Sequence, residues 1–277
     1  MQQIYIPKIL QNAAFMQMFF LLFYFFSSVS QAVTLGQSTI QDSHWQFRSL
    51  TYEQHNNFAL VEGDIILSKM ANLGKKDAAF RLKLGGAHWE KGVVPYEVSD
   101  SLPLISKIAI YQAIEHWQKY TFVQFIELTN KNHHSYKDYI TFLPSSGTTC
   151  ASYVGKQGGQ QEIILSTRCR TMSVVHEIGH ALGLWHEQSR ADRDNYIQII
   201  WENIEESHRF NFNQHINDSV DFGEYDYQSI MHYNAYAFSK NGEKTLVPLI
   251  EGTEIGQRNK LSEKDIAAVN AMYPKTT

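Results

Sequence analysis

The chain has 277 residues, 43% of them hydrophobic, with 28 acidic against 24 basic side chains and a formal net charge of −4. That is enough apolar material for one substantial domain with appendages. The mildly acidic balance leaves no basic footprint for nucleic acid and no charge run long enough to be an interaction tail, so function has to be read from a site.

In chain order, residues 1–32 open with Lys8 as a modest basic region, continue with an apolar stretch from Met18 to Phe26, and close on Ser30-Gln31-Ala32, small residues suited to a cleavage site. This predicts an export signal cut after Ala32. The competing reading is an uncleaved membrane anchor through residues 18–26, although that run falls short of the roughly 20 residues a spanning helix needs. In an exported chain the two cysteines, Cys150 and Cys169, suggest one disulfide, and the alternative is a pair of buried thiols. Such a bridge would stabilise the fold by roughly 3 kcal/mol on the chain-entropy account.

Residues 33–79 are mixed and polar, and contain Val61-Glu62-Gly63-Asp64-Ile65, locally a Gly-Asp turn between short apolar runs. A strand is predicted over residues 93–98. Ser101 and Pro103 mark the start of a helix running to about Tyr120, in which Ile110, Ala113, Ile114 and Trp117 form one apolar face. Residues 122–127, 139–143, 150–154 and 162–165 read as short strands between turn-forming residues. The run at 150–154 is either an internal strand or an exposed edge able to accept an extended peptide. Ser173 is placed to cap the next helix, with Val174, Val175, Ile178 and Leu182 facing inward. Beyond it, residues 195–200 are strand-like, 201–213 look helical and 220–226 read as loop. A last helix over 265–272, capped by Ser262, carries Ile266, Val269 and Met272 inward.

Chemistry concentrates in HEIGHALGLWHEQSRADRD, residues 176–194. His176 and His180 stand at i and i+4, so on a helix both rings leave the same face one turn apart. Gly183 can end the helix with positive φ, and His186 follows three residues later as a third imidazole for the same ion. Catalytic zinc takes three protein ligands and keeps a position for water, whose pKa falls to about 7. Glu177, adjacent to the first ligand, can take that proton and deliver it to a leaving amine. A bare HExxH is a weak signal; the added glycine and third histidine at fixed offsets make it specific.

HExxHxxGxxHE together with Ser229-Ile230-Met231-His232-Tyr233 downstream resembles the astacin family of zinc endopeptidases, within the metzincins. The resemblance runs over roughly residues 80–273. It implies an α+β, zincin/metzincin-like fold: a twisted, mostly parallel sheet with an antiparallel edge strand and helices in an upper subdomain (about 80–183), an irregular lower subdomain (about 184–277), and a zinc cleft between them. It further implies one Zn2+ on His176, His180 and His186, Glu177 as base and acid, Met231 as an apolar floor, Tyr233 as a switchable ligand and oxyanion donor, and Glu187 as the contact of a mature N-terminus. Cys150 lies in TCASYVG, close to the family's GCxSxVG with Thr149 for glycine, and the matching edge strand, Cys150, Ala151, Ser152 and Tyr153, would bind substrate backbone. The family's second disulfide has no counterpart.

The same resemblance makes residues 33–79 a pro-segment in which Asp64 ligates zinc, with Val61 standing where the family has phenylalanine. WEKGVVPY, with Glu90 for proline, sets the mature N-terminus near Ala79 or Phe80, among the cleavable residues Lys75, Lys76 and Arg81. The expectation is therefore a secreted endopeptidase for protein or peptide substrates, latent until an activating protease removes the pro-segment, without a stable membrane span and monomeric. A hypothesis from another class is a zinc-stabilised module that binds proteins without cutting them; retention of Glu177 argues against it, because structural zinc sites close with four ligands and need no base.

Overall fold

A computed structural model describes residues 33–41, 47–73, 86–216 and 219–275. The export signal, the alternative anchor and the cleavage points around residues 75–81 lie outside the described residues. Val33–Thr277 forms one compact unit.

The centre is a nine-stranded sheet in the order β1-β2-β3-β4-β8-β9-β7-β5-β6. Its strands are β1 (Leu35–Gln41), β2 (Phe47–His55), β3 (Phe58–Val61), β4 (Ile65–Lys69), β5 (Val93–Val98), β6 (Gln124–Glu127), β7 (Tyr139–Pro144), β8 (Cys150–Ser152) and β9 (Gln160–Leu165). The half built from β5, β6, β7 and β9 is parallel, and β8 runs antiparallel to β9. This is the mostly parallel sheet with one antiparallel strand that was expected.

The run at 150–154 is not an edge in this chain. Strands β1 to β4, from a region that reads in sequence as a mixed, polar stretch with one turn, pair as an antiparallel meander, and β4 joins β8 in parallel at Ile65 opposite Ser152. Patterning explains the omission: Leu60 and Ile66 bury against Ala151 and Ile164, while Val61, Ile65 and Leu67 bury against Val154 and partly buried Trp185. The short β3 and β4 strands are thus apolar on both faces, without the alternation that marks a half-exposed strand.

Helix α1 (Leu104–Tyr120) packs beneath the sheet through Ile110, Ala113, Ile114 and Trp117, all buried, the two isoleucines each contributing about 1.5–3 kcal/mol if fully removed from water. Helix α2 (Thr171–Leu182) lies beside it, and Trp117 Nε1 donates to Val175 O at 2.9 Å. The α2 N-cap is Arg170 rather than Ser173, which sits inside the first turn and makes no capping bond. The region expected to be helical over 201–213 is 3-10, Trp201–Asn203 and Glu206–Phe212, and β10 (Ile197–Ile199) pairs with β11 (Leu246–Pro248). Helix α3 (Glu263–Met272) begins with a full capping box between Ser262 and Asp265. The disulfide Cys150–Cys169 is formed, with a Cα–Cα distance of 6.1 Å.

Candidate active site

The end of α2 sets the geometry. Gly183 caps it at φ 116, a conformation costly for any residue with a Cβ. The last carbonyls of the helix are all engaged: Leu184 N donates to Gly179 O at 3.0 Å, Gly155 N and Gly183 N to His180 O at 2.8 Å, Trp89 Nε1 to Ala181 O at 2.8 Å and Tyr273 Oη to Leu182 O at 2.6 Å. The chain then doubles back and delivers His186 to the face that carries His176 and His180.

Each ring is oriented from behind. Nδ1 of His176 donates to Ile230 O at 2.8 Å, Nδ1 of His180 to Leu184 O at 2.8 Å and Nδ1 of His186 to Glu62 Oε2 at 2.7 Å. Those bonds place the hydrogen on Nδ1 and leave each Nε2 lone pair facing a common point. Asp64 closes the set from the turn between β3 and β4, its Oδ2 3.2 Å from His176 Nε2 and its Oδ1 3.1 Å from His186 Nε2 and 3.6 Å from His180 Nε2. The four donor atoms lie within 4.8 Å of one another. Asp64 Oδ1 and His180 Nε2 are buried without a hydrogen-bond partner, an arrangement that costs free energy unless a cation sits between them. Three imidazoles and a carboxylate suit zinc.

Glu177 is buried beside this cluster, with Oε2 unengaged. Burial, and then the Asp64 charge, push its carboxyl well above the usual range, with Arg258 opposing. Tyr233 is not among the donors here. Its hydroxyl donates to Glu62 O at 2.6 Å while its ring packs 4.7 Å from that of His186, because Asp64 and the Glu62 carbonyl occupy its side of the site. Met231 is buried under α2, close enough that a Cβ at Gly179 would meet its Sδ at 2.8 Å. Ser152 N donates to Asp64 O at 2.9 Å, so the turn that carries Asp64 is tied to β8, in which Cys150 and Ala151 pair with Leu165 and Ile164 of β9 and after which Tyr153 follows.

Glu187 accepts from Asp226 N at 2.7 Å and borders a cavity of about 550 Å3 also lined by Gly183, Asp226, Met231 and Asp265. Burial pushes its carboxyl up to about 8, although Arg190 and the Asp226 amide act the other way.

Two functional features escaped the sequence. Glu62, at φ 50, is 4% exposed and bonded throughout: its carboxylate accepts from His186, from Ser189 Oγ at 2.9 Å and from His215, its amide donates to Asn211 Oδ1 at 2.7 Å and its carbonyl accepts from Tyr233. Arg258, partly buried, donates through Nη1 to His232 O and Gln257 O, both at 3.0 Å. The neighbouring Gly-Asp turn was a pointer to the first; nothing local pointed to the second.

The sequence profile of the astacin peptidase family matches residues 82–274. The chain belongs to the astacin family of zinc metalloendopeptidases. This astacin is 37% identical over 224 residues to zinc metalloproteinase nas-4 of Caenorhabditis elegans, covering 76% of this chain and 68% of that protein, and 36% identical to the mouse astacin-like metalloendopeptidase, covering 77% and 48%. It thus spans under half the length of some of its relatives. Among solved structures, the hatching-enzyme zinc protease high choriolytic enzyme 1 of medaka fish, Oryzias latipes, superposes with a TM-score of 0.61 at 35% identity, covering 69% of this astacin and 94% of that chain.

Proposed function

We propose that this astacin is the latent precursor of an exported zinc endopeptidase acting on extended segments of proteins or peptides. The observation that carries the reading is the convergence of three Nε2 atoms, each with its Nδ1 hydrogen on an acceptor, beside a buried carboxylate with an unengaged oxygen. In it His176, His180 and His186 would hold zinc, with Asp64 as a further ligand while residues 33–79 remain attached. When bound, zinc lowers the pKa of water to about 7 and polarises the scissile carbonyl.

Glu177 accepts the proton of the attacking water and passes it to the leaving amine. Departure of Asp64 would free the place its carboxylate takes beside the three Nε2 atoms, and would take away the second of the two influences, after burial, that hold the Glu177 carboxyl above its usual range. Tyr233, released from the Glu62 carbonyl, turns its hydroxyl toward the developing oxyanion. Removal of β4 exposes β8, where a substrate strand can pair with the backbone of residues 150–153. Residues 80–183 and 184–277 serve as the two walls of the cleft, and the processed N-terminus reaches Glu187. Residues 1–32 direct export, an activating protease cuts near residues 75–81, and the product acts as a monomer. Among the described residues no helix is long and apolar enough to cross a membrane.

The test is cleavage of a denatured-protein peptide pool by the full chain and by a form starting at Phe80, with and without a zinc chelator. Chelator-sensitive cutting by the shorter form alone is expected. Equal cutting by both forms would end the latency reading. No cutting by either, with zinc bound, would replace catalysis by the binding module.

A further inference from the structure

We propose that Asp265, the N3 residue of α3, is a positioning residue of the metal site, fixing the turn at residues 229–231 that orients His176 and seats the segment carrying His186. The proposal rests on the reading of those histidines as zinc ligands.

The His176 imidazole takes its orientation from one backbone carbonyl, Ile230 O, 2.8 Å from Nδ1. A carbonyl can set a ring only as firmly as its own peptide plane is held. The plane containing Ile230 O also contains Met231 N, which donates to Ser229 Oγ at 3.0 Å, and Ser229 Oγ donates to Asp265 Oδ1 at 2.6 Å. The preceding plane is held by the other oxygen of the same carboxylate, since Ile230 N donates to Asp265 Oδ2 at 2.9 Å. Both peptides flanking Ile230 are therefore pinned by one side chain. The next carbonyl, Met231 O, accepts from Glu187 N at 3.2 Å, immediately after His186. The turn thus touches the segments of two ligands, and one carboxylate holds the turn.

The carboxylate is itself immobilised. Asp265 is 5% exposed and accepts from Ser262 N at 2.9 Å while its own amide donates to Ser262 Oγ at 2.9 Å. Read alone, this is an ordinary capping box. Helix capping requires only the two bonds to Ser262, whereas the bonds to Ser229 and Ile230 serve the turn. Groups that orient a metal-bound histidine typically alter metal affinity 10- to 100-fold when lost.

Four variants of the full chain separate the two roles, read by zinc affinity in chelator competition, by the visible spectrum of the Co2+ form and by Tm. Ser262→Ala should lower Tm and leave affinity and spectrum near wild type. Asp265→Ala should also weaken zinc binding roughly 10- to 100-fold and change the Co2+ spectrum. Asp265→Asn, which keeps one acceptor for Ile230 N, should recover part of that loss. Ser229→Ala cuts only the arm to Met231 N, leaves the helix cap intact and should reproduce the spectral change at about 10-fold lower affinity, so it carries the test if Asp265→Ala does not fold. Wild-type affinity and spectrum in Ser229→Ala and Asp265→Asn, or the same spectral change in Ser262→Ala, would overturn the proposal. His176→Ala serves as the separate control: retention of tight zinc there would refute the ligand reading, not the role of Asp265.

Discussion

Glu177 and Glu62 are both buried carboxylates beside the same three histidines, yet they do opposite things. Glu177 has an unengaged oxygen and a raised pKa, as suits a proton carrier. In the form starting at Phe80, Glu177→Gln should lower kcat/KM by about 10²- to 10⁴-fold with zinc content unchanged, checked by peptide cleavage and metal analysis on the same sample; a smaller loss would assign the base elsewhere. Glu62 has no spare acceptor, since His186, Ser189 and His215 use both its oxygens. Glu62→Gln leaves an amide that cannot accept from all three, and breaking such a buried pair costs on the order of 3–5 kcal/mol. The uncut full chain should then cleave peptides at least about 10-fold faster than wild type, and an unchanged rate would show that Asp64 holds latency alone. The two residues differ as much in legibility. Glu177 could be read because its partners stand one to nine positions away along a helix and its cap, a spacing that geometry turns into proximity. Glu62 could not, because His186 and His215 lie 124 and 153 positions away and no periodicity connects them.

The strongly periodic elements were readable for the same reason. The apolar face of α1 and the Ser262 cap of α3 are written within a few residues of sequence, and both are found in place. The start of α2 differs from the expected Ser173 cap because the chain enters the helix through Arg170, with no side-chain cap at all. Its end is better determined. A Cβ on Gly183 would meet nothing nearer than Met272 Sδ at 3.6 Å, so space is not the constraint; φ 116 is. Gly183→Ala should therefore cost about 1–2 kcal/mol in backbone strain and, because His186 follows that turn, weaken zinc retention too. Thermal unfolding with and without chelator checks this. A stability loss identical in the two conditions would show that the strain is absorbed without moving His186.

At the scale of the whole molecule, sheet order was the least legible feature, because the partner of β8 comes from a segment some 85 residues upstream whose strands carry no alternation. Its docking has a consequence for activation. Among the described residues, the contacts that hold it, from Glu53 through Glu62, Asp64 and Ile65 to the Lys69–Glu162 ion pair, lie upstream of the expected cleavage points at residues 75–81, so a cut there severs the chain and leaves those contacts in place. A nicked chain should stay inactive until the pro-segment dissociates, with activity rising on dilution. One of these contacts, between His208 and Glu53, makes that release depend on pH. His208, on the Glu206–Phe212 helix, lies 3.5 Å from Glu53 Oε1 of β2 and 3.0 Å from Glu205 Oε2, with Ser207 Oγ at 3.4 Å and the Phe238 ring stacked on it. The bond to Glu53 raises its pKa, against burial and together with the Glu53 and Glu205 charges. A raised docked value means that protonation favours docking: the contribution is fully present below the free value of about 6.5 and disappears as pH rises through the docked one. For a partly exposed pair it amounts to about 0.2–1 kcal/mol. Nicked wild-type chain should accordingly release its pro-segment up to about 5-fold more readily at pH 8.5 than at pH 6, whereas His208→Gln should lose most of that difference. An equal pH dependence in both would place the titrating contact elsewhere in the interface.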